Sequence, residues 1–194
     1  MVVGGGGGER LGGVSKPDLV FGGVRLVDRV CCALGEVADA GVVAIVPPSV
    51  RVPSGVACTL EDPPGGGPLA GIDAGLAALS VGADCWVIVV SVDCPGITDV
   101  LRCLLTEPLG IACDGRILRG GDHEPFDQYL MGVYRAGALR RAIDEAVARH
   151  GSVRGMGVRR VLRALTLERV DVSVDVCRDV DTPEDRAWWE SRLG

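Results

Sequence analysis

The stretch Val3-Gly4-Gly5-Gly6-Gly7-Gly8-Glu9-Arg10-Leu11-Gly12-Gly13-Val14-Ser15-Lys16 joins a short apolar start to a run of five glycines and then to two cations six residues apart. Glycine lets backbone N–H groups approach phosphate oxygens with no Cβ in the way. Arg10 can fork onto two oxygens, and Lys16, the only lysine of the chain, supplies a compact point charge. The stretch therefore has the chemistry to wrap a triphosphate and neutralise it. It is not a Walker A loop, because Lys16 is followed by Pro17 rather than by a hydroxyl residue. Nor is it a dinucleotide fingerprint, which fails at Glu9. A flexible glycine-rich terminus shares this composition; the two cations close behind favour phosphate binding.

Asp93 is the second anchor. It leaves a strongly apolar strand and is followed two residues later by Pro95, which enforces a turn. A magnesium ion on nucleotide phosphates takes one or two protein carboxylates, and Asp93 is expected to be one. Asp179 and Asp181 stand at i, i+2 spacing, so an extended backbone projects both to one side, where they could help hold the metal. The same segment, Asp181-Thr182-Pro183-Glu184, is also a good helix N-terminus, and both readings stay open. Gly65-Gly66-Gly67-Pro68-Leu69-Ala70-Gly71 offers backbone N–H and C=O groups edge-on to a planar base, or is only a tight loop before a helix. His123 and Glu124 lie in a polar loop and receive no catalytic role.

Composition narrows the class. The chain has 194 residues, 47% of them apolar, which suits one domain over 1–194 with a substantial core. Its formal charge of −6 disfavours non-specific nucleic-acid binding. The eight cysteines form no C-x-x-C pair and there are two histidines, so a zinc site is not expected. No signal peptide or membrane-spanning stretch is read, and the chain is expected to be cytoplasmic with its cysteines reduced.

These residues need a scaffold, and the pattern alternates strand and helix. Short or buried strands are expected at 1–3, 42–46, 56–60, 85–92, 110–114 and 129–133. Helical spacing marks 26–34, 68–79, 99–105 with Thr98 as cap, 136–149, 157–165 and 183–193; 170–180 reads as extended. Such βαβ alternation predicts a three-layer αβα, Rossmann-like domain with a mainly parallel sheet. Ligands of such sheets bind beyond the carboxyl ends of the strands, where the glycine loop and Asp93 both fall.

With these motifs in order, the chain resembles the molybdenum cofactor guanylyltransferase family within the nucleotidyltransferases. The family opening, Leu-Ala-Gly-Gly-x-Ser-x-Arg-Met-Gly-x-Asp-Lys, is matched at Gly5, Gly6, Arg10, Gly12 and Lys16. Gly-Pro-Leu-Ala-Gly stands intact as Gly67 to Gly71. The strand-ending Asp-x-Pro is Asp93-Cys94-Pro95, and the terminal Asn-Val-Asn-Thr-Pro-Glu appears as Asp179-Val180-Asp181-Thr182-Pro183-Glu184. Gly8 and Ser15 replace the family's serine and aspartate, and one extra residue separates Arg10 from Lys16. The resemblance implies a magnesium-dependent transfer of GMP from GTP to the phosphate of the molybdenum-pterin cofactor, with release of pyrophosphate. It implies Arg10, Lys16 and Asp93 as catalytic residues, and Val3, Gly4, Gly5, Gly6, Asp62, Pro68, Leu69 and Ala70 among those around the nucleotide. It also implies transient contact with molybdoenzyme apo-proteins, and no nucleic-acid or membrane partner. A related nucleotidyltransferase using CTP or another phosphorylated acceptor, and a non-catalytic nucleotide or pterin binder, remain alternatives.

Overall fold

A computed structural model of the chain describes residues 1–4, 15–110, 112–121 and 124–194. Seven strands form the central sheet: β1 (Val2–Val3), β4 (Val43–Ile45), β5 (Ala57–Thr59), β6 (Trp86–Ser91), β7 (Gly115–Gly120), β8 (Phe126–Arg135) and β9 (Leu167–Asp171). Their order is β5-β4-β1-β6-β8-β7-β9. The β5–β4, β4–β1, β1–β6 and β7–β9 pairs are parallel, while β8 runs antiparallel to β6 and β7. β8 alone reverses direction, so the expectation of a mainly parallel sheet holds. A small hairpin of β2 (Val20–Phe21) and β3 (Val24–Arg25) lies apart from this sheet.

The strands are nearly continuous apolar runs because both faces of the sheet are covered. Val3, Val43, Ile45, Val87 and Val89 face one core; Val2, Ala44, Val46, Val90 and Val92 face the other. This is the period-two alternation of side chains along a strand. The first face receives α2 (Pro68–Leu79), α4 (Ala136–His150) and α5 (Val158–Leu162) through Leu69, Ile72, Leu139, Ile143 and Leu162. The second receives α1 (Leu26–Gly35) and α3 (Ile97–Leu105) through Val27, Val30, Leu34, Val100 and Leu104, with α6 (Val174–Cys177) beside them. Helix, sheet and helix make the three expected layers. The last helix, α7 (Pro183–Leu193), places Trp189 in a small third core with Leu19, Phe21, Leu26 and Val180. Among the described residues no helix is long and apolar enough to cross a membrane.

Four expectations need correction. No strand occupies the described residues of 110–114; the strand begins at Gly115. The stretch 170–180 is not extended throughout, because β9 ends at Asp171 and α6 intervenes. α3 begins at Ile97 behind Gly96, not behind Thr98. α5 stops at Leu162, short of Leu165.

Candidate active site

β1 is only two residues long but is gripped on both sides. Gly4 N–H donates to the Ile45 carbonyl, and Val92 N–H donates to the Val3 carbonyl, both at 2.9 Å. A Cβ on Gly4 would lie 2.8 Å from Val46 Cγ1 and 3.2 Å from Val92 Cγ1. Only glycine lets the chain leave the sheet there, between the extensions of β4 and β6. Val3 is buried, with its side chain in the first core and its carbonyl bonded to Val92, so it offers no side chain to a ligand. Gly5, Gly6 and Arg10 lie outside the described residues, as does His123.

Lys16 opens a 3-10 turn, Lys16–Asp18. Pro17 is buried beneath it, and Asp18 is tied to Arg25 at 2.9 Å, whose guanidinium also pairs with Asp28. The turn leads directly into Leu19 and Phe21 of the third core. That core also holds Val180, fully buried between the more exposed Asp179 and Asp181. Val180 N–H donates to the Asp93 carbonyl at 3.0 Å. With Val180 pinned inward, its two neighbours are turned outward beside Asp93.

The result is a compact cluster. Carboxylate oxygens of Asp93, Asp179 and Asp181 lie within 4.8 Å of one another. Lys16 Nζ donates to Asp93 Oδ2 at 2.9 Å and also to Asp181 Oδ1. Ser91 Oγ donates to the other oxygen of Asp93, Oδ1. Partial burial works to lower the pKa of Lys16, but the charges and hydrogen bonds of Asp93 and Asp181 outweigh it and hold the ammonium above its ordinary value. Asp179 is solvent-exposed as a residue, yet its carboxyl group is tucked against neighbouring atoms. That local burial, and then the charges of Asp93 and Asp181, push its pKa up to about 6, with Lys16 offsetting part of the effect. Among the described residues, three carboxylates and one ammonium meet here. Clustered hard oxygen donors of this kind suit magnesium.

The third motif reaches the same edge of the sheet. Gly67 has φ +85° and precedes α2, whose first residue is Pro68. A Cβ on Gly71 would lie 3.1 Å from Ile45, the last residue of β4, which puts the start of α2 over the carboxyl ends of the strands. Leu69, Ala70 and Gly71 are buried, Leu69 completely, and the Gly71 N–H is bonded to the Gly67 carbonyl, so the accessible part of the motif is Gly67 and Pro68. Asp62 is exposed on the preceding loop. The structure thus gathers Lys16, Asp93, Asp179 and Asp181, and brings Gly4 and the Gly67 turn to the same rim. Sequence reasoning missed Ser91. Its signal was present: two residues before Asp93 on a strand, it shares that side chain's face.

The sequence model for the MobA-like NTP transferase domain matches residues 1–170. No curated protein matches the chain significantly. Several solved structures share the fold. Molybdopterin-guanine dinucleotide biosynthesis protein A from Archaeoglobus fulgidus aligns with TM-score 0.66 at 21% identity, covering 98% of this chain and 96% of that one. The 2-C-methyl-D-erythritol 4-phosphate cytidylyltransferase of Thermus thermophilus gives 0.71 at 16% identity over 99% and 97%. A nucleoside-diphosphate-sugar pyrophosphorylase from Vibrio cholerae gives 0.63 at 10% over 98% and 99%.

Proposed function

The chain belongs to the family of MobA-like NTP transferases, and from that premise we propose that it transfers GMP from GTP to the terminal phosphate of the molybdenum-pterin cofactor. The observation that carries the reading is the Lys16–Asp93–Asp181 cluster beside Gly4 at the carboxyl edge of the sheet. The intact Gly67-to-Gly71 motif favours guanine as the base. The whole chain, 1–194, acts as one nucleotidyltransferase domain, because α7 beyond the matched region supplies Trp189 to the core that supports Lys16.

A phosphate oxygen of the acceptor attacks the α-phosphorus of GTP. A new P–O bond forms there as the bond to the bridging oxygen breaks, and pyrophosphate leaves. No covalent enzyme intermediate is required. The protein aligns the two phosphates and spreads the charge that develops. Lys16 and Arg10 meet the α-phosphate and the departing pyrophosphate. Gly5 and Gly6 donate backbone hydrogen bonds to the triphosphate; Gly4, expected to do the same, instead spends its N–H on the Ile45 carbonyl and serves to let the chain leave the sheet. The turn at Gly67 and Pro68, which opens the Gly67-to-Gly71 motif, lines the base with Asp62 nearby, while Leu69, Ala70 and Gly71 seat that turn on the core. Asp93 would hold magnesium, joined by Asp179 and Asp181, and the ion would supply Lewis-acid charge to the phosphates. Ser91 orients the Asp93 carboxylate. The acceptor is a phosphorylated pterin, the product passes to molybdoenzyme apo-proteins, and the work is done in the cytoplasm.

Thermal shift with GTP, CTP, ATP and UTP in the presence of magnesium tests the base. A ligand that binds only the native state raises its melting point. GTP is expected to give the largest shift; a larger shift with CTP would replace GMP transfer by CMP transfer.

A further inference from the structure

The loop that opens α2 is held from outside the nucleotide site by two residues with no role above. Glu61 is only 8% exposed, one of two buried charged side chains among the described residues. Its Oε1 accepts the Gly66 N–H at 3.0 Å. Arg154 comes to the same loop from the turn 151–157 between α4 and α5. Its Nη1 donates to the Pro63 carbonyl and its Nη2 to the Pro64 carbonyl, the latter at 3.2 Å. Beside it, Gly155 N–H donates to the Gly66 carbonyl at 2.8 Å.

The loop needs such support. Pro63 and Pro64 have no N–H with which to hold themselves, and Gly65, Gly66 and Gly67 carry no side chain to pack. The fit around them is close: a Cβ on Gly66 would lie 2.8 Å from Arg154 Nη1 and 2.8 Å from Ala70 Cβ. The planar fork of arginine reaches two successive carbonyls at once, whereas a lysine ammonium is a point charge on a flexible stem.

We propose that Arg154 and Glu61 are positioning residues: together they clamp 63–67 in the conformation that reads the nucleotide base. The clamp acts through the loop and touches neither the phosphates nor the reacting atoms. It rests on the reading of the turn that opens Gly67 to Gly71 as the base pocket. Hydrogen bonds to a base edge weaken steeply with distance and angle, so a loosened loop loses base binding and discrimination more than chemistry.

Steady-state kinetics on the full chain test this, using wild type, Arg154→Ala, Arg154→Lys and, as a core control, Ile143→Val on α4. Arg154→Ala is expected to raise the nucleotide KM about tenfold with kcat changed less than about twofold. The GTP-to-CTP ratio of kcat/KM should fall by a similar factor, and Arg154→Lys should recover only part of the loss. Ile143 is fully buried, so its truncation lowers Tm without touching the loop, and KM and the ratio should not move. Unchanged KM and base ratio in both Arg154 variants would overturn the clamp. So would an equal KM rise in Ile143→Val, which would make the effect one of stability alone. A wild type that prefers another base ends the guanine reading instead, and the clamp is then judged on that base.

Discussion

Replacing Lys16 by alanine should tighten metal binding while slowing the reaction. In the structure the ammonium sits inside the carboxylate cluster, 2.9 Å from Asp93 Oδ2 and bonded also to Asp181. The side chains of Lys16 and Asp93 are only 18% and 15% exposed, so the pair is poorly screened. Any divalent cation entering the cluster must displace these contacts. A hydrogen bond to a charged group contributes about 1.5–3 kcal/mol net, and losing one such competitor tightens binding by roughly tenfold to a hundredfold. The remaining carboxylates, within 4.8 Å of one another, repel by about 3.5 kcal/mol gross per ionised pair at an effective dielectric constant of 20, which a dication relieves. Calorimetric titration of magnesium or manganese into nucleotide-free wild type and Lys16→Ala, at one ionic strength, reads the effect directly. Turnover should fall at least about tenfold, because the phosphates lose a cation in the transition state. Metal binding that is equal or weaker in Lys16→Ala would refute the argument that the ammonium and the metal compete for one cluster.

Other outcomes follow from the same geometry. Asp93→Ala should abolish turnover and leave the circular dichroism spectrum intact; undiminished magnesium-dependent activity would remove Asp93 as a ligand. The Asp179 pKa is raised from 3.8 to about 6, so its folded form is favoured by the bound proton. That contribution is fully present below the unfolded pKa and is lost as pH rises through about 6. Asp179→Asn in chelator should therefore stabilise the protein at pH 8, by about 1 kcal/mol once solvent screening at an exposed site is allowed for, and change little near pH 4. Equal melting shifts at the two pH values would count against it. Thr182 caps α7 in a reciprocal box with Asp185. Thr182→Ala should cost about 1 kcal/mol in denaturant unfolding, and no change would mean the cap is made by solvent.

Much of the fold was legible because its parallel strands are buried on both faces and bounded by glycine and proline. The run ending at Asp93 and the helix opening at Pro68 are of this kind. β7 was not legible. Its second residue, Arg116, has the look of a surface charge but is buried, its guanidinium bonded to the Leu104, Glu107 and Pro108 carbonyls and to Glu168. A buried, fully partnered arginine breaks the apolar signature of a central strand. The β2–β3 hairpin did leave a signal, Gly22-Gly23 between apolar residues, with φ of +57° and +76°. At the site, the i, i+2 spacing of Asp179 and Asp181 gave their common direction. That they face Asp93 depends on burial of Val180 and its hydrogen bond across the fold, which spacing along the chain does not encode. The clamp on 63–67 was hidden for the same reason, since Arg154 meets Pro63 and Pro64 from about ninety residues away in sequence.

The most direct test of the central claim is the release of pyrophosphate from GTP when the purified chain meets magnesium and the phosphorylated molybdenum-pterin cofactor. The account predicts pyrophosphate in step with a guanylylated pterin, and neither product in Asp93→Ala. GTP that binds yet yields no pyrophosphate with that acceptor would contradict it.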